Sequence, residues 1–171
     1  MKNTLKAVFL VFGISLSSMA CKSRPSLQTV PRVDLMKYSG TWYSIASYPQ
    51  FFERGCTNIK ATYTVKNGYV EVFNESIKNG KPNNITGKAF VVPNSGNSKL
   101  KVQFFWPFKG NYWIIELADD YSWAVVSDPK QKTLWILARS SNMTDKLYHQ
   151  LVEMLVKKGY QESKIVKVTH S

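Results

Sequence analysis

From Thr41 to Ala138 the chain is cut into short runs of two-residue alternation separated by turn residues, a rhythm that admits little besides an all-β sandwich or barrel. Lys99 to Phe105 shows it most cleanly: Leu100, Val102 and Phe104 share one face, and Lys99, Lys101 and Gln103 the other. Similar runs are predicted at Thr41 to Ser47, Thr57 to Val65, Tyr69 to Ser76, Ile85 to Val92, Tyr112 to Leu117, Ser122 to Ser127 and Leu134 to Ala138. Asn67-Gly68 is a tight hairpin signal, and Gly80 with Pro82, Asp119-Asp120 and Asp128-Pro129-Lys130 mark further turns. Consecutive short connections imply an antiparallel up-and-down meander. Eight such strands close into a barrel that holds side chains or one small ligand, and closure removes the sheet edges.

Two helical segments flank the strands. A first turn is expected at Asp34 to Tyr38. A longer helix follows the last run, with Thr144 as N-cap, Met143 placed to staple onto Tyr148, Lys157 and Lys158 in the last turn, and Gly159 as a left-handed stop. Leu147, Leu151, Met154 and Leu155 form one apolar stripe. Packing against the barrel's outer wall is the ordinary use of such a stripe, a partner or membrane face the alternative. Lys164 to Val168 could add one edge strand.

Residues 1–20 read as an export leader: Lys2 and Lys6 precede the uncharged run Ala7 to Leu16, which is too short to span a bilayer. Ser17-Ser18-Met19-Ala20-Cys21 resembles the lipobox of bacterial lipoproteins, which implies cleavage and acylation at Cys21, although Ser18 stands where that pattern has Leu. The alternative is a plain secreted protein with a free cysteine. Lys22 after the cysteine points by the same resemblance to the outer membrane; the periplasmic face is the expected side, with the cell surface left open. Residues 21–32, with Pro25 and Pro31, then read as a lipidated N-terminus and tether, and residues 33–171 as one domain.

The chain carries a net charge of +12, which becomes +10 without the two leader lysines. Its basic residues are scattered, so they either steer anionic headgroups and carboxylates or simply solvate the surface. No basic helix or stacking motif suggests nucleic acid. With Cys21 acylated, Cys56 has no partner in the chain. A catalytic thiol would need a base, and the only histidines are His149 and His170. No metal-ligand cluster, phosphate-cradling loop or nucleophile triad is present, so no cofactor is expected.

Gly40-Thr41-Trp42-Tyr43 resembles the G-x-W block that opens the first strand of lipocalins. Asp119-Asp120-Tyr121 is similar to the family's second block, with Asp119 in place of Thr, and Arg139 to the arginine of its third. Phe52-Glu53-Arg54-Gly55, Ala61-Thr62-Tyr63, Phe104-Phe105 with Pro107-Phe108, and Leu134-Trp135-Ile136-Leu137 bring the resemblance to the lipid-anchored bacterial lipocalins. It implies an eight-stranded lipocalin (calycin) barrel with one C-terminal helix packed outside, and Gly40, Trp42 and Arg139 at its closed end. It also implies a non-enzymatic role in storage or transport of fatty acids, lysophospholipids or similar amphiphiles, with a homodimer as an open possibility.

On this topology the mouth loops are Tyr48 to Gly55, Lys78 to Asn84, Trp106 to Asn111 and Ser127 to Thr133. Parity points Trp42, Ser44, Ala46 and Tyr48 inward, with Val70, Val72 and Asn74, Val102 and Phe104, and Tyr112, Ile114 and Glu116. Tyr48, Phe51 and Phe52 in one mouth loop and Trp106 and Phe108 in another mark entry of apolar molecules, or seal a filled barrel. Arg54 and Lys109 at the rim could meet a carboxylate or phosphate. An inward Glu116 would need a partner or a proton. The ligand-binding set expected from the sequence is thus Ala46, Tyr48, Phe51, Phe52, Arg54, Val72, Asn74, Val102, Phe104, Trp106, Phe108, Tyr112 and Ile114. Two other classes stay open: an enzyme using Cys56 or Glu116, and a structural envelope barrel without cargo.

Overall fold

The computed structural model describes residues 26–171. The leader and Cys21 lie outside the described residues. Eight strands, β1 (Gly40–Ser47), β2 (Cys56–Lys66), β3 (Tyr69–Lys78), β4 (Lys81–Val91), β5 (Lys99–Phe105), β6 (Phe108–Leu117), β7 (Trp123–Ser127) and β8 (Leu134–Ala138), pair antiparallel in sequence order, and β1 joins both β8 and β2 to close the barrel. The helical turn α1 (Leu35–Tyr38) precedes β1, capped by the Asp34 carboxylate. Helix α2 (Asp145–Lys157) follows β8, with the Thr144 hydroxyl accepting from the Leu147 N–H and Gly159 at φ +92°. A two-residue strand, β9 (Val166–Lys167), pairs with Ala46 and Ser47 where β2 no longer follows β1.

The meander and its outer helix are those expected, but β4 and β6 start nearer the mouth than alternation implies. Of Lys78 to Asn84, only Asn79 and Gly80 form the turn, both with positive φ as a two-residue hairpin requires. Of Trp106 to Asn111, only Trp106 and Pro107 connect the strands, across a cis peptide. The strand ends beyond the core are exposed, so no burial imposes alternation on them.

Two β-bulges reset the inside face. In β1 the register shifts between Ser44 and Ala46. Trp42 packs in the inner core and Ser44 faces the lumen, whereas Ile45, Ala46 and Tyr48 all pack in an outer cluster with α2. Ala46 and Tyr48 therefore do not point inward, because one extra residue reverses the parity of everything after it. In β6 the shift falls between Ile114 and Glu116. Ile114 stays in the inner core, but Glu116 turns outward, where Lys158 Nζ lies 2.8 Å from its Oε1.

The outer cluster buries Leu151, Val152 and Leu155 of α2 against Ile45, Ile115 and Ile136, so the helix stripe is used on its own barrel. The inner core fills only the closed half, around Trp42, Tyr63, Val72, Leu100 and Ile114. The stretch read as a tether belongs to this end from Leu27 onward. Leu27 packs in the outer cluster, the Val30 N–H donates to the Ile114 carbonyl at 3.1 Å, and the Val33 N–H to that of Gly96 at 2.8 Å. Gly96, at φ +60°, has no room for a Cβ beside the Pro31 carbonyl. Val30 and Val33 pack in the inner core as well, and the backbone hydrogen bonds that hold the segment leave no trace in its sequence.

Arg139 seals the closed end. Its guanidinium lies 3.9 Å from the centroid of the Trp42 ring and donates to the carbonyls of Thr41 (3.0 Å), Lys37 (2.6 Å) and Tyr121 (3.3 Å). Gly40, at φ +92°, passes close to this group. Above it, the Tyr112 hydroxyl is 2.8 Å from those of both Tyr38 and Tyr63, and the Tyr38 ring packs 4.8 Å from Trp42. Burial raises all three phenols: Tyr63 to about 12, and Tyr38 and Tyr112 well above the ordinary value.

Two outcomes follow for stability. Arg139→Met should lower the unfolding free energy by about 2–4 kcal/mol in urea titrations, since it removes a cation–π contact and three charge-assisted hydrogen bonds at a half-buried site; an unchanged midpoint would deny it the sealing role. The folded phenols hold their protons above the unfolded value of about 10, so their contribution is complete below that pH and declines as pH rises through 10 toward 12. Tyr112→Phe should flatten that decline in urea titrations run between those limits, and a slope identical to the parent's would refute it.

Candidate functional site

The half of the barrel left open by the inner core is a cavity of about 760 Å³. Its wall is mainly apolar: Ile59 and Ala61 from β2, Val72 from β3, Val102 and Phe104 from β5, and Leu137 from β8. The Phe104 ring lies over Gly87 of β4, where any Cβ would fall 2.6 Å from Cδ1. A larger residue there would push the ring into the lumen. Trp42, Tyr63 and Tyr112 form the floor. With their raised pKa values the two phenols are neutral at physiological pH, so the floor presents no charge.

Two lumenal polar atoms are buried without a partner among the described residues, Ser44 Oγ and Asn74 Oδ1. Such groups normally find hydrogen bonds, so both are available to water or to a polar group of a ligand. Charge appears only toward the mouth, at Glu53, Lys60, Lys109, Asp128 and Lys132. Lys60 is paired with Glu75 at 3.3 Å, and Lys109 Nζ rests 4.4 Å from the Phe90 ring centroid. Glu53 is fixed by the Trp135 indole N–H (2.8 Å) and the Gln50 N–H (3.0 Å). Asp128 accepts from the N–H groups of Lys130, Lys132 and Thr133 within its own loop.

Of the ligand-binding set expected from the sequence, Phe52, Val72, Asn74, Val102, Phe104, Phe108 and Tyr112 line this cavity. Ile114 lies fully buried in the packed core. Ala46 and Tyr48 face α2; the Tyr48 hydroxyl donates to the Gln161 carbonyl and accepts from its N–H. Phe51, Arg54 and Trp106 are exposed beside the mouth and do not border the cavity. Gln50, Glu53, Trp135 and Leu137 line it without having been singled out. Alternation in Leu134 to Ala138 puts Trp135 and Leu137 on one face, but does not say which face is inward.

Among the described residues the lining holds no histidine or cysteine. Cys56 Sγ lies 3.7 Å from the Phe52 carbonyl, His149 Nδ1 2.7 Å from the Asp145 carbonyl, and His170 Nε2 2.8 Å from the Ser44 carbonyl. Among the described residues no three His, Cys, Asp or Glu side chains are grouped to hold a metal ion. The arrangement suits non-covalent enclosure of an elongated apolar molecule with a polar end.

Known proteins give this geometry a family. A lipocalin-like domain model matches residues 33–170. Temperature-induced lipocalin-1 of Arabidopsis thaliana is 36% identical over 158 residues, covering 86% of this chain and 85% of that protein. Outer membrane lipoprotein Blc of Vibrio cholerae is 34% identical over 169 residues, covering 96% and 98%, and Blc of Escherichia coli K12 is 33% identical over 156, covering 88% of each. Among solved structures, insecticyanin from the tobacco hornworm Manduca sexta superposes with a TM-score of 0.71 over 87% of both chains at 20% identity, a likeness of fold. A closed eight-stranded barrel with one outer helix, matched by that domain model over nearly all its described length, belongs to the lipocalin family, in the subfamily of the Blc lipoproteins.

Proposed function

We propose that this lipocalin carries fatty acids, lysophospholipids or similar amphiphiles in the cell envelope by enclosing them without chemical change. The open cavity, with a mainly apolar wall, an uncharged floor and charge only toward its mouth, carries this reading: it suits an alkyl chain with its polar head near Lys132. Burying a twelve-carbon stretch contributes about 8–10 kcal/mol gross at about 0.8 kcal/mol per methylene, and the ordering cost of binding subtracts from that. The names of the Blc relatives, outer membrane lipoproteins, support the same compartment here. In this reading residues 1–20 are a leader, Cys21 is acylated, the anchor holds residues 33–171 at the periplasmic face of the outer membrane, and two or three acyl chains make attachment nearly permanent.

Native mass spectrometry of the protein purified without detergent, with extraction of its small molecules, tests the reading. Fatty acids or lysophospholipids near one per barrel or one per dimer are expected. A protein that is empty and also refuses added lipid would overturn it. Ala61→Trp places a large ring in the lumen between Trp42 and Asn74 and should weaken a fluorescent fatty-acid probe at least tenfold while the thermal transition is retained. Equal affinity in a folded variant would place the cargo elsewhere.

A further inference from the structure

Five aromatic side chains at the mouth stand in water: Phe51, Phe52, Phe105, Trp106 and Phe108, exposed by 79%, 52%, 70%, 87% and 77%. The other exposed large apolar residues among those described, Met36, Val91, Val156 and Val166, are scattered over separate elements. The five belong to two loops, the 3-10 turn Phe51–Glu53 and the tip joining β5 to β6. In a ring of eight strands these loops stand on opposite sides of the opening, as two prongs. The first is held rigid by Glu53, which bonds the Trp135 indole and the Gln50 N–H.

The two remaining mouth loops sit between the prongs and bring Lys78, Lys81, Lys130 and Lys132, and Arg54 follows the first prong. The four loops contain two acids, Glu53 and Asp128, both occupied by uncharged N–H donors. The cations there have no carboxylate partner among the described residues. At the opposite end the signs are mixed: Asp34, Asp119 and Asp120 stand beside Arg32, Lys37 and Arg139.

We infer that the mouth is a docking surface for an anionic lipid bilayer. The prongs enter the boundary between headgroups and acyl chains, where aromatic side chains are favoured, and the lysines meet headgroup phosphates. The charge distribution selects this occupant over a second copy, since two mouths face to face would oppose lysine with lysine. A docked barrel would also join its apolar wall to the bilayer without crossing water. Phe52, Phe105, Phe108 and Lys132 also border the cavity, so the surface shares its rim with the cargo site, but docking needs only their exposed faces and not a loaded cavity.

The test uses the full chain with Cys21→Ser and Cys56→Ser and one environment-sensitive fluorophore, at Trp106→Cys on a prong or at Asn67→Cys on the closed end. With phosphatidylglycerol vesicles, the pelleted label at position 106 should shift to the blue, and the label at 67 should not. The shift should fade with phosphatidylcholine or high salt. In the same chain, Phe51→Ser combined with Phe108→Ser should weaken vesicle affinity at least tenfold. Equal shifts at both positions would mean that the leader alone holds the chain. A shift that stays in the supernatant would mean lipid extraction, and one that grows with protein concentration without vesicles would mean self-association. Any of these, or no shift at 106, would overturn the docking surface while leaving cargo carriage to be judged by mass spectrometry.

Discussion

Closing an antiparallel sheet into a barrel creates an interior with two ends, and this molecule depends on one of them being shut by Arg139 over Trp42. A guanidinium supplies five donors in a fixed plane, so it can stack on an indole and still satisfy carbonyls from three segments. Here those carbonyls belong to α1, β1 and the loop between β6 and β7. One side chain therefore fixes the approach to the first strand, the end of the last and a turn between them. The tyrosine cluster builds on that base through the packing of Tyr38 on Trp42, and the cavity starts where the cluster ends.

Much of the architecture was legible because local rules and the fold agree. Lys99 to Phe105 and Leu134 to Ala138 are strands with the expected bounds, and α2 starts and stops at the residues whose capping chemistry marks it. The lumen was legible where a strand stays regular, as at Val72 and Asn74, and also at Val102 and Phe104, which keep their parity although β5 shifts register against β6 just beyond Val102. It was hidden beyond the bulges. Ile45 and Ile115 show nothing in sequence that distinguishes them from ordinary strand residues, yet beside them parity breaks, and Ala46, Tyr48 and Glu116 end up outside. A bulge is set by how strands must bend to close a ring, a property of the whole sheet. The held segment from Leu27 to Val33 was hidden for a related reason, because its hydrogen bonds belong to the backbone.

The bulge in β1 also explains the C-terminus. Past Tyr43 the strand leaves β2 and would present an unpaired edge, a liability that proteins usually cover. β9 occupies it, and the chain continues across the gap: the Asn58 N–H donates to the Thr169 carbonyl, and the Ser171 N–H to Asn58 Oδ1. The same irregularity therefore turns Ala46 and Tyr48 toward α2 and gives the last residues of the chain their place.

Stability and exposure are divided along the barrel axis. At the closed end the large apolar groups are buried and the central cation donates to three carbonyls. At the mouth, five aromatic rings forgo burial worth about 1.5–3 kcal/mol each, and the lysines of its loops lack carboxylate partners among the described residues, in a kind of molecule whose total margin is about 5–15 kcal/mol. Loose loops would bury such rings against one another or against the wall. The Glu53 bridge to Trp135 keeps the first prong from collapsing, and the direct joining of β5 to β6 leaves Trp106 no slack to fold inward. Holding apolar groups in water needs a compensating contact elsewhere, and the interface of an anionic membrane, which favours aromatic rings and attracts lysines, would supply it.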